Sequence, residues 1–178
     1  MDAAAKIKDI AKNGPSRESL ADATAILAEQ LAAAAGVKND SEVGIMLLNA
    51  TGNLLKFVSP IALFQAQASF PALQKDSLAA TILATKKGKV DNKFADTKHL
   101  KFFELTKFKT GKEKPIQKML ALPILNGNVV SGVVEISRKG GTPEEAGPNF
   151  TPEDAQKVLG FLKLVVVDYL KCVPKDLL

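Results

Sequence analysis

The stretch Ile116–Ser137 constrains the fold more than any other part of the chain. It reads IQKMLALPILNGNVVSGVVEIS, two apolar runs rich in branched side chains on either side of Asn126-Gly127. Asn-Gly is the strongest short-range signal for a β-hairpin, because a type I′ turn needs positive φ at both central residues. Both runs are apolar at nearly every position, so we expect other elements to cover both faces of the sheet they join.

Length and composition favour one domain that needs neither disulfides nor metals. Of the 178 residues, 46% are hydrophobic, which is enough for a sizeable core. The apolar runs are too short or too interrupted by charge to cross a bilayer, and the N-terminus lacks the apolar region of a secretory signal, so we expect no membrane association and a cytoplasmic location. Cys172 and His99 are the only cysteine and the only histidine. Neither an internal disulfide nor an all-protein transition-metal site is expected.

Basic charge is concentrated in one segment. Residues 86–118 carry eleven lysines and four acidic residues, a net charge of +7 in a chain whose total is +5. Such a segment could bind an anionic metabolite, an acidic partner or nucleic acid; alternatively, it forms solvated loops in which lysines keep an amphipathic surface in water. We do not expect nucleic acid, because all but two of the basic residues are lysines, which lack the bidentate fork of arginine, and no recognition motif is present.

Helices and strands are predicted on both sides of the hairpin. Alanine-rich periodicity ending at Gly36 indicates an amphipathic helix. Thr151, followed by Pro152 and two carboxylates, is a strong signal for a helix start. The predicted elements are a helix over 16–35, strands over 42–49 and 54–59, a helix over 77–87, an edge strand over 89–92, a short helix over 97–107, the hairpin, and a helix over 151–170. We expect residues 1–15 to be a lead-in segment, 16–172 the domain, and 173–178 a tail.

This order of elements resembles that of GAF domains. The resemblance covers roughly residues 16–170 and is carried by Glu42–Val58, Ser77–Phe103, IQKMLALP at Ile116–Pro123, GVVEIS at Gly132–Ser137 and FTPED at Phe150–Asp154. It implies an α+β fold with a central antiparallel sheet of about six strands. Long N- and C-terminal helices would cover one face, and short helices and loops would roof a pocket on the other. GAF domains are mostly sensory or regulatory modules, often dimerise through their long helices, and are rarely enzymes.

The resemblance places the candidate ligand-binding residues in the pocket roof and in the sheet below it. Glu135 lies where some GAF domains contact their ligand with a glutamate. If the turn is Asn126-Gly127, Glu135 also lies opposite Lys118, so a cross-strand ion pair is the alternative. For the aromatic residues of the roof, the alternative is ordinary core packing. The candidates are Asn92, Phe94, Asp96, Thr97, His99, Phe102, Phe103 and Glu135.

The motif of GAF domains that bind cyclic nucleotides is matched only in part. Phe150 and Asp154 are in place, but Ser137-Arg138 replaces the Asn-Lys pair of that motif and Ala155 replaces its glutamate. Asp154 is equally explained as a carboxylate at a helix start, paired with Arg138 or Lys139. We therefore do not expect cyclic-nucleotide binding.

Catalytic and chromophore-binding roles lack their residues. A lone histidine with no serine or cysteine partner is a poor catalytic base, so His99 does not indicate an enzyme. Bilin-binding GAF domains attach their chromophore to a cysteine in the roof, whereas Cys172 lies at the far end of the last helix. GAF domains that reduce methionine sulfoxide need several cysteines. No cofactor is indicated.

The sequence thus predicts a non-enzymatic sensory or regulatory module that binds a small, anionic ligand. We expect a homodimer formed through the helices Ser16–Ala35 and Thr151–Leu170. Because the chain shows no output domain, a signal would pass to a protein partner or change self-association. The alternative is a structural module for interaction or dimerisation, whose pocket is filled by its own side chains.

Overall fold

A six-stranded antiparallel sheet runs through the middle of the molecule. The computed structural model describes residues 2–38, 42–96 and 114–177. The strands are β1 (Val43–Leu48), β2 (Leu54–Ser59), β3 (Ser69–Pro71), β4 (Lys89–Asp91), β5 (Ile116–Asn126) and β6 (Val129–Lys139), in the order β3-β2-β1-β6-β5-β4. All neighbours pair antiparallel, which confirms the predicted α+β architecture.

Five α-helices in the described ranges lie outside the sheet. They are α1 (Ala3–Ala11), α2 (Arg17–Ala35), α3 (Ile61–Gln65), α4 (Leu78–Thr85) and α5 (Pro152–Lys171), together with a short 3₁₀ helix at Phe94–Asp96. We call the side of the sheet that carries α2 and α5 the helix face, and the opposite side the roof face. Because both faces are covered, β5 is buried at nine consecutive positions.

The helix face holds the larger core. Alternate residues of β1 (Val43, Ile45 and Leu47) pack with Leu27 of α2 and Val165 of α5. Inside this layer the hydroxyl groups of Thr24 and Tyr169 share a buried hydrogen bond of 2.8 Å, which links α2 to α5.

Helix α1 belongs to the same layer although it lies in the predicted lead-in segment. Asp2 caps it, and it contacts α2 and α5. Ile7 is fully buried in the core of the helix face. The first residues therefore contribute apolar packing to the sheet and helix assembly.

The ends of the long helices follow local sequence signals. Ser16 caps α2 with its side chain, and Gly36 ends that helix in the left-handed region with φ of 62°. Thr151 and Asp154 form a reciprocal capping box at the start of α5, with Pro152 at the first helical position. Both boundaries lie where the sequence predicted them.

The roof face is covered by α3, α4 and the 3₁₀ helix. Its core combines Met46, Phe57 and Met119 of the sheet with Ile82 of α4 and the buried ring of Phe94. The described part of this face is therefore filled by apolar side chains. The predicted helix over 97–107 lies outside the described residues.

The central hairpin is confirmed, but its predicted turn is wrong by one residue. Asn126 pairs with Val129, so the two central residues are Gly127 and Asn128, and only Gly127 has positive φ, 61°. That is the pattern of a type II′ turn, which places glycine first. A bulge opposite Ile124/Leu125 then shifts the register by one more residue.

No helix in the described ranges is long and apolar enough to cross a membrane.

Candidate functional site

A cleft of about 540 Å³ opens at one edge of the molecule. It lies between the 3₁₀ helix, the first residues of β5 and the loop over 140–150. Of the eleven described residues that line it, seven are polar or charged: Asn92, Lys93, Asp96, Gln117, Lys118, Glu144 and Asn149. Its size is within the range of small-molecule sites.

Asn92 holds two walls of the cleft together. Its side-chain Nδ2 donates to the backbone oxygen of Phe150 at 3.0 Å, and the backbone N–H of Phe150 donates to Asn92 Oδ1 at 2.9 Å. This pair of bonds ties the end of β4 to the residue before the α5 cap. The side-chain amide of Asn92 thus holds these two walls in place, because its oxygen and its nitrogen both form hydrogen bonds to the backbone of Phe150.

The inner wall consists of two polar side chains that are almost fully buried. Gln117 and Lys118 are 7% and 5% exposed. Gln117 Nε2 donates to the backbone oxygen of Gly140 at 2.9 Å, and Lys118 Nζ donates to the backbone oxygen of Gly147. Lys118 forms no salt bridge with any residue of the described ranges. Among the described residues, the Gly147 carbonyl is the one acceptor for this ammonium group, which can donate three hydrogen bonds.

The rim carries charges of both signs. Lys93 and Asp96 are exposed on one side, and Glu144 is exposed on the other. Hydrogen bonds from its own backbone N–H and from the Thr142 hydroxyl lower the pKa of Glu144, and the positive charge of Lys118 lowers it further. Glu144 is consequently ionised at neutral pH.

Glu135 lies apart from the cleft, on the roof face. The register places it opposite Ala121, and Lys118 lies opposite Arg138, so the predicted cross-strand pair of Glu135 with Lys118 is wrong. The shifted turn and the bulge are the reason. Burial raises the pKa of Glu135 to about 7, and a hydrogen bond from the backbone N–H of Ala79, near the start of α4, partly offsets that rise. A ligand contact of Glu135 stays a prediction.

Arg138 has a structural role on the helix face. Its guanidinium group donates to the backbone oxygens of Ala35 at 2.8 Å and Gly36 at 3.0 Å, and lies 4.6 Å from the centre of the Phe150 ring. Because the guanidinium group donates to these two carbonyls, its positive charge offsets the negative end of the α2 dipole. Its buried Nε has no hydrogen-bond partner among the described residues.

The alternative explanation of Asp154, as a carboxylate at a helix start, is confirmed. Its side chain accepts from the backbone N–H of Thr151 at 2.9 Å, within the capping box. Arg138 is occupied by the carbonyl groups at the end of α2, so it is not the predicted partner of Asp154.

The structure brings only some of the predicted site residues together. Asn92 and Asp96 line the cleft, whereas Phe94 is buried in the core of the roof face. Thr97, His99, Phe102 and Phe103 lie outside the described residues. Sequence reasoning missed Gln117 and Lys118, although two polar residues inside a strongly apolar run were a usable signal. In the described ranges, no group of three His, Cys, Asp or Glu side chains could hold a metal ion.

Comparison with solved structures gives the fold its family name. The sequence matches no family model and no curated protein. The GAF domain of an Acinetobacter phosphoenolpyruvate-protein phosphotransferase aligns with 95% of this chain and 91% of its own, with a TM-score of 0.63 and 16% identity. The corresponding GAF domain from Coxiella burnetii aligns with 95% of this chain and 89% of its own, with a TM-score of 0.56 and 11% identity.

This chain has the GAF-domain fold. Residues 122 to 287 of a methyl-accepting chemotaxis protein also match, with a TM-score of 0.64 and 13% identity over 95% of both chains. Identities this low establish the fold alone. Within the GAF fold of this chain, the cleft opens at the end of the sheet where β5 begins, and Lys118 in its wall is on the helix face, opposite Arg138.

Proposed function

We propose that this GAF-fold chain is a non-enzymatic regulatory module that binds a small charged ligand in the cleft. The observation that carries the proposal is the ammonium group of Lys118. Buried charges are normally paired, yet among the described residues this one has a single carbonyl acceptor, and it lines a cleft of ligand size. An anionic group on a ligand would supply the missing partner. The match to part of a chemotaxis protein is in keeping with a sensory role.

The test is ligand-induced stabilisation of the whole chain. Carboxylated and phosphorylated metabolites are screened by thermal shift, and hits are confirmed by native mass spectrometry. We expect at least one hit whose shift is lost in Lys118→Gln and reduced in Lys93→Gln. Lys175→Gln, at an exposed lysine outside both long helices and outside the cleft, is the matched control and should keep the full shift. Flat responses throughout would contradict ligand binding.

A second candidate function, a structural dimerisation module, is supported by the outer surface of α5. Leu164 and Val167 are 66% and 55% exposed there, although both are large apolar side chains. Exposed apolar pairs on a helix favour burial against another surface. Under this proposal the dimer forms through α2 and α5, and no ligand is needed.

The two functions are compatible, because the dimer surface and the cleft involve different residues. Three acidic residues project from α2 (Glu18, Asp22 and Glu29), and three lysines project from α5 (Lys157, Lys163 and Lys171). A two-fold axis could place α2 of one subunit on α5 of the other, so that opposite charges meet twice. A ligand signal would then pass through self-association or to a protein partner, in the cytoplasm.

A further inference from the structure

We infer that the cleft is built for a small zwitterion, such as a free α-amino acid, with its carboxylate group on Lys118 and its ammonium group on Asp96 and Glu144. This inference rests on the proposed ligand-binding function and names the chemical class of the ligand.

Among the described residues, the charged groups of the cleft form no salt bridge with one another. Lys118 donates to the Gly147 carbonyl and its positive charge acts on Glu144 beyond salt-bridge distance, but Lys118, Asp96 and Glu144 have no direct ionic partner in the described ranges. The neighbouring Glu145 is outside the lining and is already paired with Lys114 at 3.6 Å. The described lining therefore leaves its cations and anions without direct ionic contact, around space that a ligand can enter.

The two signs are arranged by depth. The positive group of Lys118 lies on the inner wall, with its side chain almost fully buried, while the carboxylates of Asp96 and Glu144 lie on the exposed rim. A ligand carboxylate that reaches Lys118 would therefore lie in a cleft that these two carboxylates also line. A compact dianion such as phosphate would be repelled there, whereas a ligand whose ammonium group stays at the rim would be attracted at both ends.

Electrostatic balance favours the same class. Among the described lining residues, two lysines, Lys93 and Lys118, and two carboxylates, Asp96 and Glu144, give side-chain charges that sum to zero. A net cation would meet Lys118 unpaired, and a net anion would leave the rim carboxylates unpaired. A zwitterion satisfies both signs without changing the net charge of the site, and the amide of Gln117 offers a further polar contact at the inner wall.

The experiment compares each common L-α-amino acid with derivatives that remove one charge. Binding to the full chain is measured by isothermal titration calorimetry. N-acetyl derivatives remove the ammonium group, and α-amides remove the carboxylate group. For at least one amino acid we expect saturable binding that either derivative weakens by about tenfold or more, because each loses one charge pair.

Two variants assign the two ends of the ligand. In Lys118→Gln, the preference for the free acid over its amide should disappear. In Asp96→Asn, which alters only an exposed side chain, the preference over the N-acetyl derivative should fall. Lys175→Gln, at an exposed lysine outside the cleft and outside both long helices, should retain both preferences. If Lys118→Gln fails to fold, the Asp96→Asn result alone still decides between a zwitterion and a simple anion.

Failure of this inference differs from failure of the proposed function. Lys118-dependent binding of N-acetyl amino acids or inorganic phosphate as tight as that of any free amino acid would overturn the zwitterion class and keep the regulatory ligand site. Absence of binding by every amino acid, derivative and metabolite would overturn both.

Discussion

Two ionisable side chains of the central hairpin occupy opposite environments. Lys118 is buried but lines an open cleft, and among the described residues its ammonium group has one acceptor, the Gly147 carbonyl. Glu135 projects from the roof face of the apolar sheet toward the backbone of α4, and burial raises its pKa. At the scale of single residues, one group is therefore suited to binding and the other couples the fold to pH.

Glu135→Gln should remove a pH-dependent destabilisation of the fold. The pKa of Glu135 is about 7 in the folded chain against an ordinary value of 4.5, so folding favours the protonated form. Stability from this group is present below the ordinary pKa and is lost as pH rises through about 7. At about pH 8 the glutamine variant should be more stable than the parent by on the order of 1–3 kcal/mol, with little difference at about pH 5.

Thermal unfolding at a series of pH values measures this effect. Glu144→Gln is the control, because that carboxyl group is exposed and its pKa is lowered rather than raised. It should give no gain at alkaline pH. If the parent and the Glu135→Gln variant showed parallel profiles of stability against pH, that result would contradict a buried, neutral carboxyl group at residue 135.

Arg138→Lys should be destabilising although it keeps the charge. Lysine cannot donate to the carbonyls of Ala35 and Gly36 from one planar group while stacking on Phe150. We expect a loss of about 1–3 kcal/mol in the free energy of unfolding, measured by urea denaturation. Arg17→Lys is the matched control at the only other arginine, whose exposed 3.3 Å pair with Asp176 should be worth less than about 1 kcal/mol. Equal losses of unfolding free energy in the two variants would contradict the explanation from the two guanidinium hydrogen bonds.

At the scale of elements, β6 and β1 approach so closely that one position excludes any side chain. A Cβ atom on Gly132 would lie 2.1 Å from the backbone oxygen of Met46, inside the β1–β6 pair. Gly160, in contrast, lies on the exposed surface of α5 with nothing within 4 Å of an added Cβ. The structure therefore excludes a side chain at Gly132 and has room for one at Gly160.

Gly132→Ala should destabilise the sheet, and Gly160→Ala should stabilise its helix. Overlap with backbone cannot be relieved by a side-chain rotation, so we expect a loss of about 2 kcal/mol or more at residue 132. Alanine in the helix should add about 0.5–1 kcal/mol at residue 160. Urea denaturation of both variants is the measurement. Normal stability of Gly132→Ala would show that the two strands can separate without cost.

Element boundaries were largely predictable because their signals are local. Ser16, Gly36 and the Thr151–Asp154 box act within one helical turn, and the structure uses each of them. The hairpin was also predicted, but its register was not. Within the turn, only Gly127 takes positive φ, and a bulge adds one residue to the paired strand. Glu135 therefore lies opposite Ala121 instead of Lys118.

At the scale of the whole molecule, the outer surfaces of α2 and α5 support self-association. We expect a dimer at micromolar concentration by light scattering. Leu164→Glu should shift it to the monomer, since a charge would replace an apolar contact at the proposed interface. A monomeric parent chain under the same conditions would contradict the proposed dimer.

Charge reversal separates complementarity from simple apolar contact. Changing Lys157 and Lys163 together to glutamate should weaken the dimer, and changing Asp22 and Glu29 to lysine in the same chain should restore it. Lys175→Glu, an exposed lysine outside both helices, is the control and should have no effect. Failure of the second pair to rescue the first would show that α2 does not meet α5 across the axis.

The candidate site, like the strand register, depends on contacts between residues that are distant in the sequence. It was therefore only partly predictable. Asn92 and Asp96 could be named because they lie in the segment that the GAF resemblance assigns to the pocket. Lys118 could not, because its burial depends on the loop over 140–150 folding back to place the Gly147 carbonyl on its ammonium group. Arg138 likewise meets the end of α2, about a hundred residues away in the chain.

By itself, the sequence determined the antiparallel hairpin, the covered sheet and the ends of the long helices, because these follow from hydrophobic pattern and from caps that act over a few residues. The tertiary structure decided the strand register, the partner of each buried charge and the position of the cleft. Those features depend on which distant backbone carbonyls and carboxylates come to lie beside a given side chain, and no local pattern specifies that meeting.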